Sequence, residues 1–242
     1  MKELIFQNAL IIHVAAGILS LLSGLIAMTS RKKGGRVHNT SGQVFYWSML
    51  VIFITTVLFV ILYPTQMKYH FFLTIGIVSF YPAFTGKRIL KMKKKMEAKW
   101  YDLAASFLML VSGVVMILYG VYLQVYNPGG FAILFLVFGP FSVLQARGDL
   151  MVLLGRKQVA KMHWFYDHAG KMIGAYSAAV TAFCVNVVPR YLPENSGQFV
   201  YILVWVAPGV AFGIISALVI RKYKAKFEGK RKPSVQWHKV AA

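Results

Sequence analysis

Seven stretches of apolar residues separated by short polar connections run along this chain, at 4–28, 44–63, 71–89, 103–126, 131–146, 165–188 and 199–220. Most reach the roughly 20 residues that a hydrocarbon core asks of a helix, so they predict membrane-spanning α-helices. The third is short and carries Pro82 near its end; the fifth holds Gly139-Pro140 in its middle. Continued to Leu154, the fifth becomes a full span but draws Arg147 and Asp149 into the inner part of the bilayer, and the shorter and longer versions stand level. The expected fold is all-α: a polytopic membrane helix bundle of about seven transmembrane helices over residues 1–220, followed by a basic tail at 221–242.

Composition supports lipid as part of the solvent, with 58% hydrophobic residues and a mean hydropathy of +0.60 over 242 residues. A net charge of +20 suggests nucleic acid at first sight, but the charges lie in short blocks between apolar stretches. That position argues for membrane topology instead. Twenty-three of the 27 Lys and Arg residues follow the first, third, fifth and seventh stretches. The positive-inside bias then puts those connections and the carboxyl terminus in the cytoplasm and the amino terminus outside, as expected of a multi-pass protein of the inner (cytoplasmic) membrane. An odd number of spans agrees with this. Trp47, Trp100, Tyr101, Trp164 and Tyr166 fall near inner helix ends, and Tyr63, Tyr69, Tyr126, Tyr191 and Tyr201 near outer ones, as aromatic belts. The first stretch is too long for a signal-peptide core and its cations follow it, so it reads as a retained span. The tail is expected to lie against anionic lipid head groups. Cys184, the single cysteine, builds neither a disulfide nor a thiolate metal site within this chain.

Small residues at four-residue spacing, Gly170, Gly174, Ala178 and Ala182, predict close helix approach and a central place for the sixth span. Gly17, Ser20 and Gly24 form a second stripe, with His13 one turn earlier on the same face. Depth separates the six histidines. His13 is roughly 13 Å from its outer helix end at about 1.5 Å per residue, near mid-membrane. His70 sits at the outer interface and His238 in the tail. His38, His163 and His168 converge on the inner boundary with Asp102, Asp149 and Asp167. His38 and His168 meet if spans two and six are neighbours. His163 and His168 are five apart and do not share a helix face, and the deeper His168 is the better ligand of the two. Lys171 pairs with Asp167 or snorkels toward the cytoplasm. The candidate cofactor residues are therefore His38 and His168, with His13 a third at a different depth. The candidate ligands of a divalent metal are His38, His168, Asp149 and Asp102. Haem b iron held by imidazoles and an open divalent-metal site both suit such a set. No phosphate loop, nucleophile elbow or paired-acid glycosidase pattern occurs.

His13-Val14-Ala15-Ala16-Gly17, then Arg31-Lys32-Lys33-Gly34 through His38 and Gly42, and His168-Ala169-Gly170-Lys171-Met172-Ile173-Gly174-Ala175-Tyr176 with Thr181-Ala182-Phe183, resemble an uncharacterised bacterial membrane-protein family known as domain of unknown function 2306. The resemblance extends to Leu203-Val204-Trp205-Val206-Ala207-Pro208 and so covers most of the chain. It implies a multi-helix membrane fold in which His13, His38 and His168 are recurrent and the Lys171 position is more often arginine. It implies no activity.

Three functions compete on the sequence. The first is a haem- or metal-binding redox module with its histidine cluster at the cytoplasmic face. The second is a small-molecule or proton-coupled transporter, suggested by the midplane His13 and proline-interrupted spans. The third is a non-catalytic membrane interaction protein. Partners are expected to be lipid, not nucleic acid.

Overall fold

A computed structural model describes residues 1–93, 96–193 and 195–228. It is all-helical: α1 Lys2–Thr29, α2 Arg36–Leu62, α3 Met67–Arg88, α4 Trp100–Tyr126, α5 Gly130–Leu153, α6 His163–Val187 and α7 Gln198–Glu228. Short 3-10 turns follow α3 at Ile89–Met92 and α6 at Val188–Tyr191. Six of the seven α-helices are long and apolar enough to cross a membrane; α3 is the one that falls short.

The connections follow from local chemistry. The α1–α2 turn uses Gly34 at φ 75°, and α5 is followed by Gly155 at φ 69°, backbone conformations that a side chain strains. Pro82, Pro140 and Pro208 lie within continuous helices. Each lacks an N–H, so one upstream carbonyl loses its helical partner without the helix ending. The fifth helix runs through Asp149 to Leu153, the longer of the two versions admitted by the sequence. The seventh passes residue 220 unbroken to Glu228, so the first basic residues of the expected tail are helical. The remainder of that tail, 229–242 with His238, lies outside the described residues.

Successive helices alternate in direction. Tyr63 at the end of α2 donates to Glu3 at the start of α1, 2.6 Å, and stacks near Tyr69 at the start of α3. At the opposite end Tyr166 near the start of α6 donates to Glu228 at the end of α7, 3.1 Å, and Phe165 packs on Tyr223 and Phe227. That opposite end, holding the connections at 30–35, 89–99 and 154–162, is called the basic end below.

α3 occupies the centre. It contacts α2, α4 and α6, and ten of its residues are buried, among them Phe71, Tyr81 and Ala83. A helix screened from lipid by its neighbours has no need of a fully apolar surface, which explains why the helix of lowest mean hydropathy is the innermost. α6 also lies within the bundle, touching α1, α3 and α7, but its predicted small-residue stripe packs only in part. Gly170 of that stripe lies against Ser216 and Ile220 of α7, whereas Gly174 and Ala182 are exposed and a methyl added at Gly174 meets nothing within 4 Å. The core face of α6 is instead Ile173, Ala175, Tyr176 and Ala179. The α1 stripe does pack, since Ser20 and Gly24 are buried and a side chain at Gly24 would run into the Tyr176 ring.

The closest helix pair is α4 with α5. Besides Ser112 and Leu134, the buried positions fall at 102, 106, 109, 113, 116, 120 and 123 on α4 and at 132, 135, 139, 142 and 146 on α5. Both series alternate steps of three and four, the signature of a left-handed seam. Gly113 and Gly139 cross there, and a methyl on Gly113 would lie 2.9 Å from the Gly139 carbonyl oxygen.

Candidate functional site: two polar centres at the basic end

The first centre is an ion-pair network between α3, α4, α5 and α6. Lys171 Nζ lies 2.9 Å from a carboxylate oxygen of Asp149 on α5 and 2.9 Å from one of Asp167, one turn earlier on α6. The lysine is only 10% exposed, so it does not snorkel; it bridges two helices. Tyr81 of α3 donates to Asp149, 2.5 Å, and its hydroxyl oxygen lies 2.9 Å from Ser106 of α4. Ser106 in turn donates to the Asp102 carbonyl, 3.0 Å.

Asp102 is itself occupied. Arg88, at the end of α3, donates from Nε and Nη2 to its two oxygens at 2.6 and 2.7 Å, and the Lys99 backbone N–H donates to it at 2.9 Å. The carboxylate therefore caps α4 and grips α3 in one bidentate pair. Arg88 also lies over the Tyr101 ring, 4.7 Å from its centre. A crevice of about 20 Å³ opens between the two ion pairs, lined by Arg88, Asp102, Asp149, His163, Asp167 and Lys171. That is room for one water among polar walls.

The second centre is a pair of imidazoles. His38 in the first turn of α2 and His168 in the second turn of α6 have ring centres 6.3 Å apart with planes at 77°. Each is fixed through Nδ1 to a backbone carbonyl at a helix end: His38 to Ala27 of α1 at 3.0 Å, and His168 to Gly86 of α3 at 2.7 Å. A carbonyl only accepts, so both Nδ1 atoms carry the proton and both Nε2 atoms keep a lone pair. Neither Nε2 has a hydrogen-bond partner among the described residues. The carbonyls are available because the last turn of a helix leaves its C=O groups without N–H partners. The rings meet because α2 and α6 converge below them through Phe45 and Tyr176, whose ring centres are 6.3 Å apart. Cations surround this end. Lys93 lies over Trp164 at 4.4 Å, and Lys33 donates to the Met28 carbonyl, where partial burial holds its pKa below the ordinary lysine value.

His38 and His168 are thus brought together as the sequence suggested, while other candidates are not. His13 stands apart near mid-helix, bonded through Nδ1 to Thr55 of α2 at 2.7 Å, with Phe59 beside it. His163 lines the ion-pair crevice and not the imidazole pair. Asp102 and Asp149 are committed to Arg88 and to Lys171 with Tyr81, so they do not complete a metal set with the histidines. Among the described residues no three His, Cys, Asp or Glu side chains converge as a metal site. The polar crevice lies beside Asp149, not His13, although the transporter reading looked to His13.

Sequence reasoning missed Tyr81, Arg88 and Ser106. A usable signal existed: the chain has only seven acids, and besides Glu3 and Glu228 at the far ends of α1 and α7, three, Asp102, Asp149 and Asp167, fall within helices. An intramembrane acid calls for a cation or donor at its own depth. Arg88 was counted only as part of a topogenic block.

No protein-family model matches the chain, and neither a curated protein nor a solved structure matches it.

Proposed function

We propose that this is a seven-span inner-membrane protein, amino terminus outside and basic end in the cytoplasm, in which His38 and His168 would hold a haem iron that serves electron transfer. The observation that carries the reading is the anchoring of both imidazoles through Nδ1–H to carbonyls with both Nε2 lone pairs left over. Histidines that ligate metals almost always hold their other ring nitrogen this way.

Ligand count favours haem over a free divalent ion. A structural zinc takes four protein ligands, but the porphyrin supplies four nitrogens and leaves two positions for protein. Two imidazoles are what this centre offers. Haem bound there supplies one-electron transfer; the chain's part is to fix both ring orientations and to set cations such as Lys33 and Lys93 at the same end. The likeness to the domain of unknown function 2306 family is part of this proposal, since His38 and His168 are among its recurrent histidines.

Absorption spectra of the detergent-purified chain, after expression with haem supply, test the reading. A Soret band is expected, lost in His38→Ala and His168→Ala and kept in His13→Ala. A wild-type protein that takes up no haem removes the proposal. Reporter fusions at residue 33 and at the carboxyl terminus test the topology and are expected to report the same compartment.

A second reading rests on the same hydrogen bonds: His38 and His168 serve only as donors that cap the ends of α1 and α3. It predicts that His38→Asn and His168→Asn, which keep a donor, behave as wild type in every assay.

A further inference from the structure

A groove of about 510 Å³ runs along the outer face of the α1–α2 pair at the basic end, separate from both polar centres. Its floor and walls are Leu19, Leu22 and Ile26 of α1 and Val44 of α2, all exposed, and at its mouth stand Arg36 and Thr40. The apolar part runs over eight residues of α1, Leu19 to Ile26, a rise of about 10 Å at about 1.5 Å per residue, a length over which an acyl chain can lie.

The mouth is charged in one sense only. Arg36 has no ion pair or hydrogen bond from its side chain among the described residues, and the Thr40 hydroxyl is likewise unpartnered there. Arg31, Lys32 and Lys33 adjoin it in the same turn, and no Asp or Glu occurs between Glu3 and Glu97. Two cations buried deeper at this end are matched, Arg88 by Asp102 and Lys171 by two carboxylates, whereas Arg36 stands at the mouth of the groove with no acid beside it. An arginine left over at the mouth of an apolar groove, at the level where a helix leaves the hydrocarbon, fits a phosphate ester carried on a hydrocarbon tail.

We propose that this groove is a binding site for one anionic phospholipid, its head-group phosphate on Arg36 and Thr40 and an acyl chain along Leu19, Leu22 and Ile26. The site does not depend on the haem reading, because none of its residues belongs to the imidazole pair.

Native mass spectrometry of the full chain released from nanodiscs tests it, using phosphatidylglycerol, phosphatidylcholine and mixtures of the two. One retained phosphatidylglycerol is expected, at least fivefold preferred over phosphatidylcholine. Arg36→Gln is expected to abolish the preference and Arg36→Lys to keep most of it. Leu22→Trp, on the exposed face, fills the groove and is expected to lower retention of phosphatidylglycerol at least fivefold with Arg36 intact. Ten-millimolar inorganic phosphate is expected not to displace the lipid. Equal retention of both lipids, or an Arg36→Gln chain that still prefers phosphatidylglycerol, overturns the proposal. Displacement by phosphate shows a site for a free anion, and a Leu22→Trp chain that binds as wild type shows charge acting without the groove; either result also overturns it. Wild-type melting temperatures for the variants exclude misfolding.

Discussion

Around Lys171 every charge finds its partner inside the protein, whereas at His168, three residues earlier on the same helix, one nitrogen is held and the other is left over. The two centres lie at one end of one bundle and share α3 and α6. Asp149, Asp167, Lys171 and Tyr81 close on one another and tie α5 and α6 to α3; Arg88 and Asp102 do the same for α3 and α4. Each charged group of these networks has an opposite charge within 3 Å, and their work is to hold helices in register. The imidazole pair is held just as firmly but only on one side of each ring. The difference teaches that burial and charge alone do not mark a ligand site; unspent bonding capacity does.

The largest effect expected from breaking this contrast is at the closed network. Lys171→Met leaves Asp149 and Asp167 without their common cation, and an uncompensated buried charge costs about 3–5 kcal/mol. The expected outcome is a steep drop in folded yield and in the midpoint of thermal unfolding in detergent, with Lys171→Arg recovering most of it. A Lys171→Met chain as stable as wild type would show that the carboxylates find other partners and that the network is not closed.

Tyr81→Phe comes next. It removes one donor to Asp149 but leaves Lys171 in place, so the loss lies toward the lower end of the about 1.5–3 kcal/mol for a hydrogen bond to a charged group. Thermal unfolding reads this as well. Haem uptake is expected to be unchanged, and a spectral change in Tyr81→Phe would mean that the two centres are coupled through α3.

What the sequence made legible follows from the same distinction. The helix pattern and the shared level of His38 and His168 were readable, because apolar runs and depth along a helix are one-dimensional quantities; the length of α5 stood open between two versions, and the meeting of the two histidines depended on which helices are neighbours. Which face of α6 turns inward was not readable. Gly170, Gly174, Ala178 and Ala182 look like one packing seam, yet Gly174 and Ala182 are exposed, Gly170 meets α7, and the core face is formed by Ala175, Tyr176 and Ala179, which cluster with Ala83 of α3. The real seam, Gly113 against Gly139 and Gly120 against Phe135 and Leu136, was hidden because Met and Leu occupy the steps between small residues on α4. Asp149 offered itself as a metal ligand because sequence distance concealed its partners: Tyr81 is 68 positions away. Depth sorts residues by level, but only the azimuth of each helix decides which of them touch.

His168→Asn is expected to cost less stability than Tyr81→Phe, since an amide nitrogen can still donate to the Gly86 carbonyl; a neutral hydrogen bond contributes only about 0.5–1.5 kcal/mol. Its effect on haem is expected to be complete, with the Soret band lost from a chain that still melts near the wild-type temperature. Stability and cofactor uptake thus separate at His168 and do not at Lys171, where misfolding removes both.

The smallest effect is expected at His13, and it sharpens the contrast most. Its Nδ1 lies 2.7 Å from Thr55 Oγ1, but the Thr55 hydroxyl also reaches the Val51 and Ile52 carbonyls at 2.9 and 2.8 Å. Removing the imidazole therefore leaves the threonine satisfied by its own helix. His13→Phe places an apolar ring against Phe59 and forfeits one hydrogen bond, while relieving the desolvation of an imidazole in the hydrocarbon; the two nearly offset, within about 1 kcal/mol. Melting temperature and Soret band are both expected to stay at wild-type values. If His13→Phe bleaches the absorption, then a lone imidazole well along the bundle from the pair is a ligand too, and geometry at the basic end has been given a role that belongs to more than one level of the membrane.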